Sequence, residues 1–289
     1  MLADVAPYLC CPLCRADLTL SDQAGSAQTL GCEQGHRFDV ARQGYASLLA
    51  GDAHTGTADT AEMVAARADF LAGGEFAALT EAVADATQHA VPDLPGCLVD
   101  AGGGTGHYLA AALDRCPDHV GISCDLSRYA ARRAARAHPR MGAVVADVWR
   151  GLPVRDTSAA VVLNVFAPRN AAEFHRALHP EGALVVATPQ PDHLSEVVGR
   201  LGLVSVDEDK DRRLSRALDE RFVLEHSRSV RWTMRLDAAG VRALVEMGPS
   251  ARHTDDLDAE TLAALAPPGD PMGVTGAVTV ATYRPRHVP

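Results

Sequence analysis

The sequence predicts an α/β fold, a mixed, mostly parallel sheet with helices on both faces, preceded by a small cysteine-bearing segment. Three observations predict it. Short apolar runs alternate with helical stretches between residues 97 and 188, a glycine-rich turn follows the first run, and four of the seven cysteines crowd between Cys10 and Cys32. A content of 47% hydrophobic and 22% charged residues is that of an ordinary globular chain. The 289 residues allow about two domains at ~150 residues each, drawn here as 1–50 and 51–289. No apolar run approaches the ~18 residues that span a bilayer, and MLADVAPYLCC lacks a basic region ahead of an apolar stretch. A soluble, cytoplasmic chain without a membrane partner is expected.

Residues 8–38 read YLCCPLCRADLTLSDQAGSAQTLGCEQGHRF. Within them Cys11-x2-Cys14 is followed, seventeen residues on, by Cys32-x3-His36. Two short-spaced pairs, each on a tight turn, let four soft ligands converge tetrahedrally on one Zn²⁺. LTL before the polar stretch and TLG after it read as two strands of a small hairpin. So small a segment has little core of its own, and metal binding then supplies much of its folding energy. Cys10 competes with Cys11, but the x2 spacing favours Cys11. The alternative, a redox pair, would open a helix in a βαβ setting, whereas this pair sits in a loop around Pro12. Four protein ligands leave no open position, so the site reads as structural.

CLVDA (97–101), HVGISCD (119–125), GAVVAD (142–147), AAVVLNV (159–165) and GALVVAT (182–188) are the strand candidates. Residues 107–116, 127–138 and 170–178 have helical composition between them. Such alternation predicts a parallel sheet, with ligands beyond the carboxyl ends of the strands. There stands Asp100-Ala-Gly102-Gly103-Gly104-Thr105-Gly106-His107. Glycines at 102, 104 and 106 permit close backbone approach to a ligand. The dinucleotide fingerprint would require glycine where His107 stands. Asp100 suits an ammonium-bearing ligand better than a pyrophosphate. Asp125, ending the second strand, is placed for ribose hydroxyls, and Asp147, ending the third, for an adenine amino group. This set resembles the S-adenosylmethionine-dependent methyltransferases of the Rossmann-like class.

With the zinc segment in the same chain, the sequence looks like the 23S rRNA (guanine-N1)-methyltransferases of the RlmA and tylosin-resistance TlrB kind. The blocks that carry the likeness are CPLC (11–14), CEQGHRFDVARQGYASLL (32–49), DTAEMVAARADFL (59–71), VDAGGGTGHY (99–108), NVFAPRN (164–170) and ATPQPDHL (187–194). The resemblance implies zinc on Cys11, Cys14, Cys32 and His36. It implies methyl-donor contacts at Gly104, Thr105 and His193, and at Phe76, where the family has a tyrosine. The expected partner is a 23S rRNA hairpin, with a second copy of the chain in a homodimer, and the role extends to macrolide resistance.

The fourth strand ends at Asn164, where other amino-group methyltransferases carry an Asp/Asn-Pro-Pro-aromatic loop; here only the polar group and the ring persist. Asn164 is assigned to the guanine edge and Phe166 to stacking on an extruded base. The bland alternative makes Asn164 a helix cap and Phe166 a core residue. Arg128, Arg132, Arg133, Arg136 and Arg140 share one stretch without an acid in a chain of net charge −10, and read as either a solvated helix face or a phosphate contact. Arg37 and Arg42 flank the zinc ligands and are candidates to hold the hairpin. In the C-terminal third, 211–221 and 237–247 look helical. Residues 228–236 and 276–285 alternate like an antiparallel pair that completes a seven-stranded sheet. Two other classes compete: a small-molecule methyltransferase, and a noncatalytic zinc-ribbon RNA binder, which the intact glycine loop disfavours.

Overall fold

The computed structural model describes residues 2–21, 28–51, 56–91, 93–201, 218–248 and 259–286. A helical turn α1 (Leu2–Val5) leads into three short strands, β1 (Thr19–Ser21), β2 (Thr29–Gly31) and β3 (Arg37–Asp39), which form an antiparallel sheet. Strand β4 (Tyr45–Ser47) follows, then helices α2 (Ala61–Ala72) and α3 (Ala77–Ala90). The alternating core is β5 (Cys97–Ala101), α4 (His107–Arg115), β6 (Gly121–Asp125), α5 (Arg128–Ala134), β7 (Met141–Val145), β8 (Ala159–Val165), α6 (Ala171–Ala177) and β9 (Leu178–Pro189). Helix α7 (Ser195–Leu201), β10 (Phe222–Leu236), α8 (Ala238–Glu246), α9 (Ala259–Leu265) and β11 (Met272–Pro285) complete the described chain.

The large sheet runs β10-β11-β9-β8-β5-β6-β7-β4. Strands β4 through β9 pair in parallel, and β11 lies antiparallel between β9 and β10. It holds the seven strands expected and an eighth, β4, contributed from within the N-terminal segment. That strand was not legible, because YAS pairs over only three residues, Tyr45–Ser47 with Ala143–Val145. Strands β5, β7 and β8 are buried at every position, as apolar runs covered on both faces should be.

Successive strand residues feed two cores. Leu98, Val161 and Leu163 meet α3 and α4 on one face; Val99, Ile122 and Val162 meet α6 and the N-terminal segment on the other. The second core takes in Leu9, Leu18, Leu30 and Phe38, so the cysteine-bearing segment shares its interior with the large sheet. Gly142 has no side chain because Val5 occupies the space: a Cβ there would sit 2.2 Å from Val5 Cγ2. Cys10 N–H donates to the Pro153 carbonyl at 3.1 Å and seals the joint.

Several boundaries differ from expectation. Helix α5 stops at Ala134, so Arg136 and Arg140 lie beyond it. Strands β9, β10 and β11 begin earlier than expected, because each extends outward along its antiparallel or parallel neighbour. Helices α2, α3 and α9 had no assignment from sequence. Of the expected helix 211–221, residues 211–217 lie outside the described residues. No described helix is long and apolar enough to cross a membrane.

Candidate functional site

Strand β5 carries Asp100 to the carboxyl end of the sheet, where the chain turns into α4. Gly102, Gly104 and Gly106 sit at φ of 89°, 54° and 81°, a left-handed region that side chains disfavour. At Gly102 a Cβ would fall 2.4 Å from Ala167 Cβ, so close packing as well as conformation demands glycine. Asp125 braces the turn: its Oδ2 accepts from Gly104 N–H and its Oδ1 from Ser127 N–H, both at 2.8 Å.

A cavity of about 510 Å³ opens over this turn. Asp100 and Gly102–Thr105 form its floor, Phe76, Phe166 and His193 a wall, and Arg67 and Met247 part of its rim. Asp100 is 1% exposed and neither carboxylate oxygen has a hydrogen-bond partner. Burial, then the nearby Asp125 charge, pushes its pKa up to about 7. An unpartnered carboxylate at a cavity floor invites a cationic ligand group. The ammonium of S-adenosylmethionine fits it, and the glycine cradle fits close approach of that molecule's backbone-like portion. Arg67 reaches across the turn, pairing with Asp59 and donating to the Met247 carbonyl at 2.6 Å.

The wall is aromatic. Phe166 stacks on His193 with centroids 5.6 Å apart and planes 25° off parallel. Phe76 meets Phe70, Phe166, His193 and Trp232 edge-on or nearly so. Phe76 is buried and brings its ring, without a hydroxyl, to the cavity wall. Phe166 is 43% exposed and holds φ of 52°, strain of a kind that concentrates at functional sites. His193 Nδ1 accepts from Ala277 N–H at 3.1 Å, which leaves the ring proton on Nε2. Burial pushes its pKa down to about 4, so the ring is a neutral donor near pH 7.

Not every expected residue reaches this cavity. Asn164 is buried below it, donating to the Ala101 carbonyl at 3.2 Å and the Pro168 carbonyl at 2.9 Å. Its amide ties the turn after β8 to the end of β5 and does not line the cavity. Neither reading of Asn164 from sequence, guanine contact or helix cap, anticipates this; Asn170 caps α6 instead. Asp147 stands two residues past β7, its Oδ1 accepting from Trp149 N–H at 3.0 Å, and lines a separate cavity with Arg15 and Leu48. Asp125 lies behind the glycine turn it braces. Sequence reasoning missed Arg67, Tyr108, Trp232 and Met247; only Arg67 and Tyr108 lay in quoted blocks, 59–71 and 99–108.

Cys11, Cys14, Cys32 and His36 offer ligand atoms within 4.8 Å of one another. Cys14 Sγ lies 3.7 Å from Cys32 Sγ, and His36 Nδ1 lies 3.5 Å and 3.4 Å from Cys11 and Cys32 Sγ. A tetrahedron with Zn–S bonds of ~2.3 Å has edges of ~3.8 Å, so these atoms fit zinc through Nδ1. Two turns set them there: Arg15 at φ 64° closes the first pair and Gly35 at φ 84° the second. Cys10 points elsewhere and is not of the cluster. Arg37 and Arg42 are both exposed.

Comparison with known proteins agrees with this geometry. Residues 9–53 match the zinc-ribbon family described as RlmA, N-terminal, and residues 99–186 the family described as Methyltransferase domain. The 23S rRNA (guanine(748)-N(1))-methyltransferase of Streptomyces fradiae is 48% identical over 287 residues, 99% of each chain. A Micromonospora griseorubida protein described as a 23S rRNA (guanine-N(1)-)-methyltransferase is 47% identical, covering 99% of this chain and all of that one. A Bacillus subtilis relative of the same description is 33% identical over 83% of this chain and 86% of its own.

Proposed function

The chain belongs to the family of 23S rRNA (guanine-N1)-methyltransferases, and from that premise we infer that it methylates N1 of a guanine in a hairpin of 23S rRNA. The guanine is the equivalent of position 748, which the name of the Streptomyces fradiae relative specifies, and the modification confers macrolide resistance. The observation that carries the reading is one cavity with a buried unpartnered carboxylate at its floor and an exposed aromatic stack at its wall.

S-adenosylmethionine, when bound, supplies an electrophilic methyl on a sulfonium. Asp100 and the backbone of Gly102–Thr105 hold it. Phe166 offers its exposed ring to an extruded base. His193, with Nδ1 engaged, donates from Nε2 and does not act as the base for the N1 proton. Asn164 positions the Phe166 turn rather than touching guanine. Methyl transfer needs alignment above all, which the rigid wall provides. Residues 1–50 recognise the hairpin through Arg37 and Arg42 around a structural Zn²⁺, and 51–289 bind donor and base.

Mass mapping of 23S rRNA from cells with and without the protein tests this reading. One methyl on N1 of that guanine, present only with the protein, is expected, with a raised tolerance to macrolides. An unmodified guanine in expressing cells overturns it. Phe166→Ala should raise KM for the hairpin by roughly fivefold or more, since base–aromatic stacking contributes ~1–3 kcal/mol, and weaken donor binding by a smaller factor. Sedimentation of the same protein reads out the expected homodimer.

A further inference from the structure

A groove of about 700 Å³ runs between α2, α4 and α5, beside the donor cavity and separate from it. Ala61, Val64 and Ala68 of α2 line one side; Arg132, Arg133 and Arg136 line the other; Thr105 and His107 lie at the donor turn. Among the described residues no carboxylate lines it. Helix α2 turns its acids Glu62 and Asp69, with Ala65 and Ala66, to a different cavity shared with α8, and Ala61, Val64 and Ala68 to the groove with the arginines.

Those arginines differ from most of their kind in this chain. Arg115 pairs with Glu81 and Asp85, Arg176 with Glu173 and Asp156, and Arg231 with Asp192. Arg140 is spent on the carbonyls of Leu113, Cys116 and His119, and Arg128 lies over the Tyr129 ring at 4.8 Å. Among the described residues the guanidinium groups of Arg132, Arg133 and Arg136 have no ion pair or hydrogen bond, and all three residues are exposed. Three unpaired guanidinium groups in one concavity, on a chain of net charge −10, concentrate local positive potential where the whole molecule repels a polyanion.

Position makes the groove useful. Thr105 lines both it and the donor cavity, so the two adjoin at the glycine turn. On its other side, the turn that carries Arg42 abuts the end of α5, with the Cβ position of Gly44 only 3.9 Å from Ala135 Cβ. We propose that this groove seats the phosphate backbone of the substrate RNA next to the methylated base, continuing a positive track that starts at the zinc segment. The proposal rests on the rRNA reading above and adds the surface that grips the strand.

Titration of the zinc-loaded full chain with a transcript of the 23S rRNA hairpin, across a salt series, tests it. Replacing all three residues (Arg132→Ala, Arg133→Ala, Arg136→Ala) should weaken RNA binding at least tenfold. It should also flatten the salt slope by about 2–3, three phosphate contacts at ~0.9 each on duplex or ~0.7 on single strand. The affinity for S-adenosylmethionine should stay within twofold, because none of the three lines the donor cavity. A companion triple with lysine at each position keeps the charge and should hold the slope near that of the unaltered chain. Unchanged RNA affinity and slope in the alanine triple, or equal loss in a folded lysine triple, overturns the groove. Loss of donor affinity in the alanine triple overturns it too, by assigning the arginines to the donor. If the unaltered chain fails to methylate rRNA, the functional reading itself falls; an active chain with an insensitive alanine triple removes only the groove.

Discussion

Strand β2 is three residues long and only Leu30 within it is buried, whereas β8 is seven residues long and buried throughout. The contrast holds for the regions they belong to. The N-terminal segment has short strands, left-handed turns at Arg15, Gly35 and Gly44 and four convergent ligands; the transferase region has a sheet covered by helices on both faces. Hydrophobic burial holds the second. In the first, Leu18, Leu30 and Phe38 provide a small interior that is continuous with the larger core, and the metal must supply the remainder. Two organising forces thus meet in one chain, and the joint at Val5, Gly142, Cys10 and Pro153 decides how far a failure on one side spreads.

Removing the metal is the hardest blow to that contrast. Structural Zn²⁺ contributes ~10–16 kcal/mol of apparent binding energy in small zinc-dependent folds. Cys11→Ser with Cys14→Ser should abolish bound zinc by metal analysis and remove hairpin methylation, yet leave calorimetric donor affinity within about twofold. Parallel loss of donor binding would mean the two regions stand or fall together.

Within the transferase region, Asn164→Leu leaves the buried Ala101 carbonyl, and that of the exposed Pro168, without their side-chain donor. Stability should fall by ~1–3 kcal/mol for the buried Ala101 carbonyl, measured by urea unfolding, with the chief kinetic loss in KM for RNA as the Phe166 turn loosens. A large fall in kcat at unchanged stability would instead put the amide on the guanine. Gly104→Val then probes the cradle: a branched side chain at φ 54°, against Arg67, should cost at least tenfold in donor affinity, about 1.4 kcal/mol. Zinc content should stay at one per chain, which separates the regions from the other direction.

The smallest effect is a pH dependence. Asp100 has its pKa raised from an ordinary 3.8 to about 7, so between those values the folded chain holds a proton that the unfolded chain has released. Donor-free stability therefore falls as pH rises through this window and levels off above 7. An ammonium pairs with the ionised form, so donor affinity should climb by about tenfold in all between pH 6 and pH 8. Calorimetry at pH 6, 7 and 8 checks this, and Asp100→Asn should flatten the profile.

The zinc ligands were legible because each pair lies within a five-residue turn, and ligand chemistry fixed their type. The glycine turn was legible for the same reason, and five core strands announced themselves as apolar runs. Strand β4 was not, because three residues pair through the backbone of β7 and carry no pattern. Helices α2 and α3 were not, because their faces are told apart by what packs on them and alanine stands on both.

What the sequence alone determined was local: metal-ligand spacing, the left-handed glycines, Asp100 at a strand end, and a parallel sheet. Each depends on residues a few positions apart. What only the tertiary structure decided was partnership at long range. Asn164 meets a carbonyl 63 residues away, Arg67 one 180 residues away, and His193 a backbone N–H 84 residues away. An arginine reads alike in sequence whether it is spent on a carboxylate or free in a groove. Which it is depends on the neighbours that folding brings within the ~4 Å reach of an ion pair, and no spacing rule encodes them.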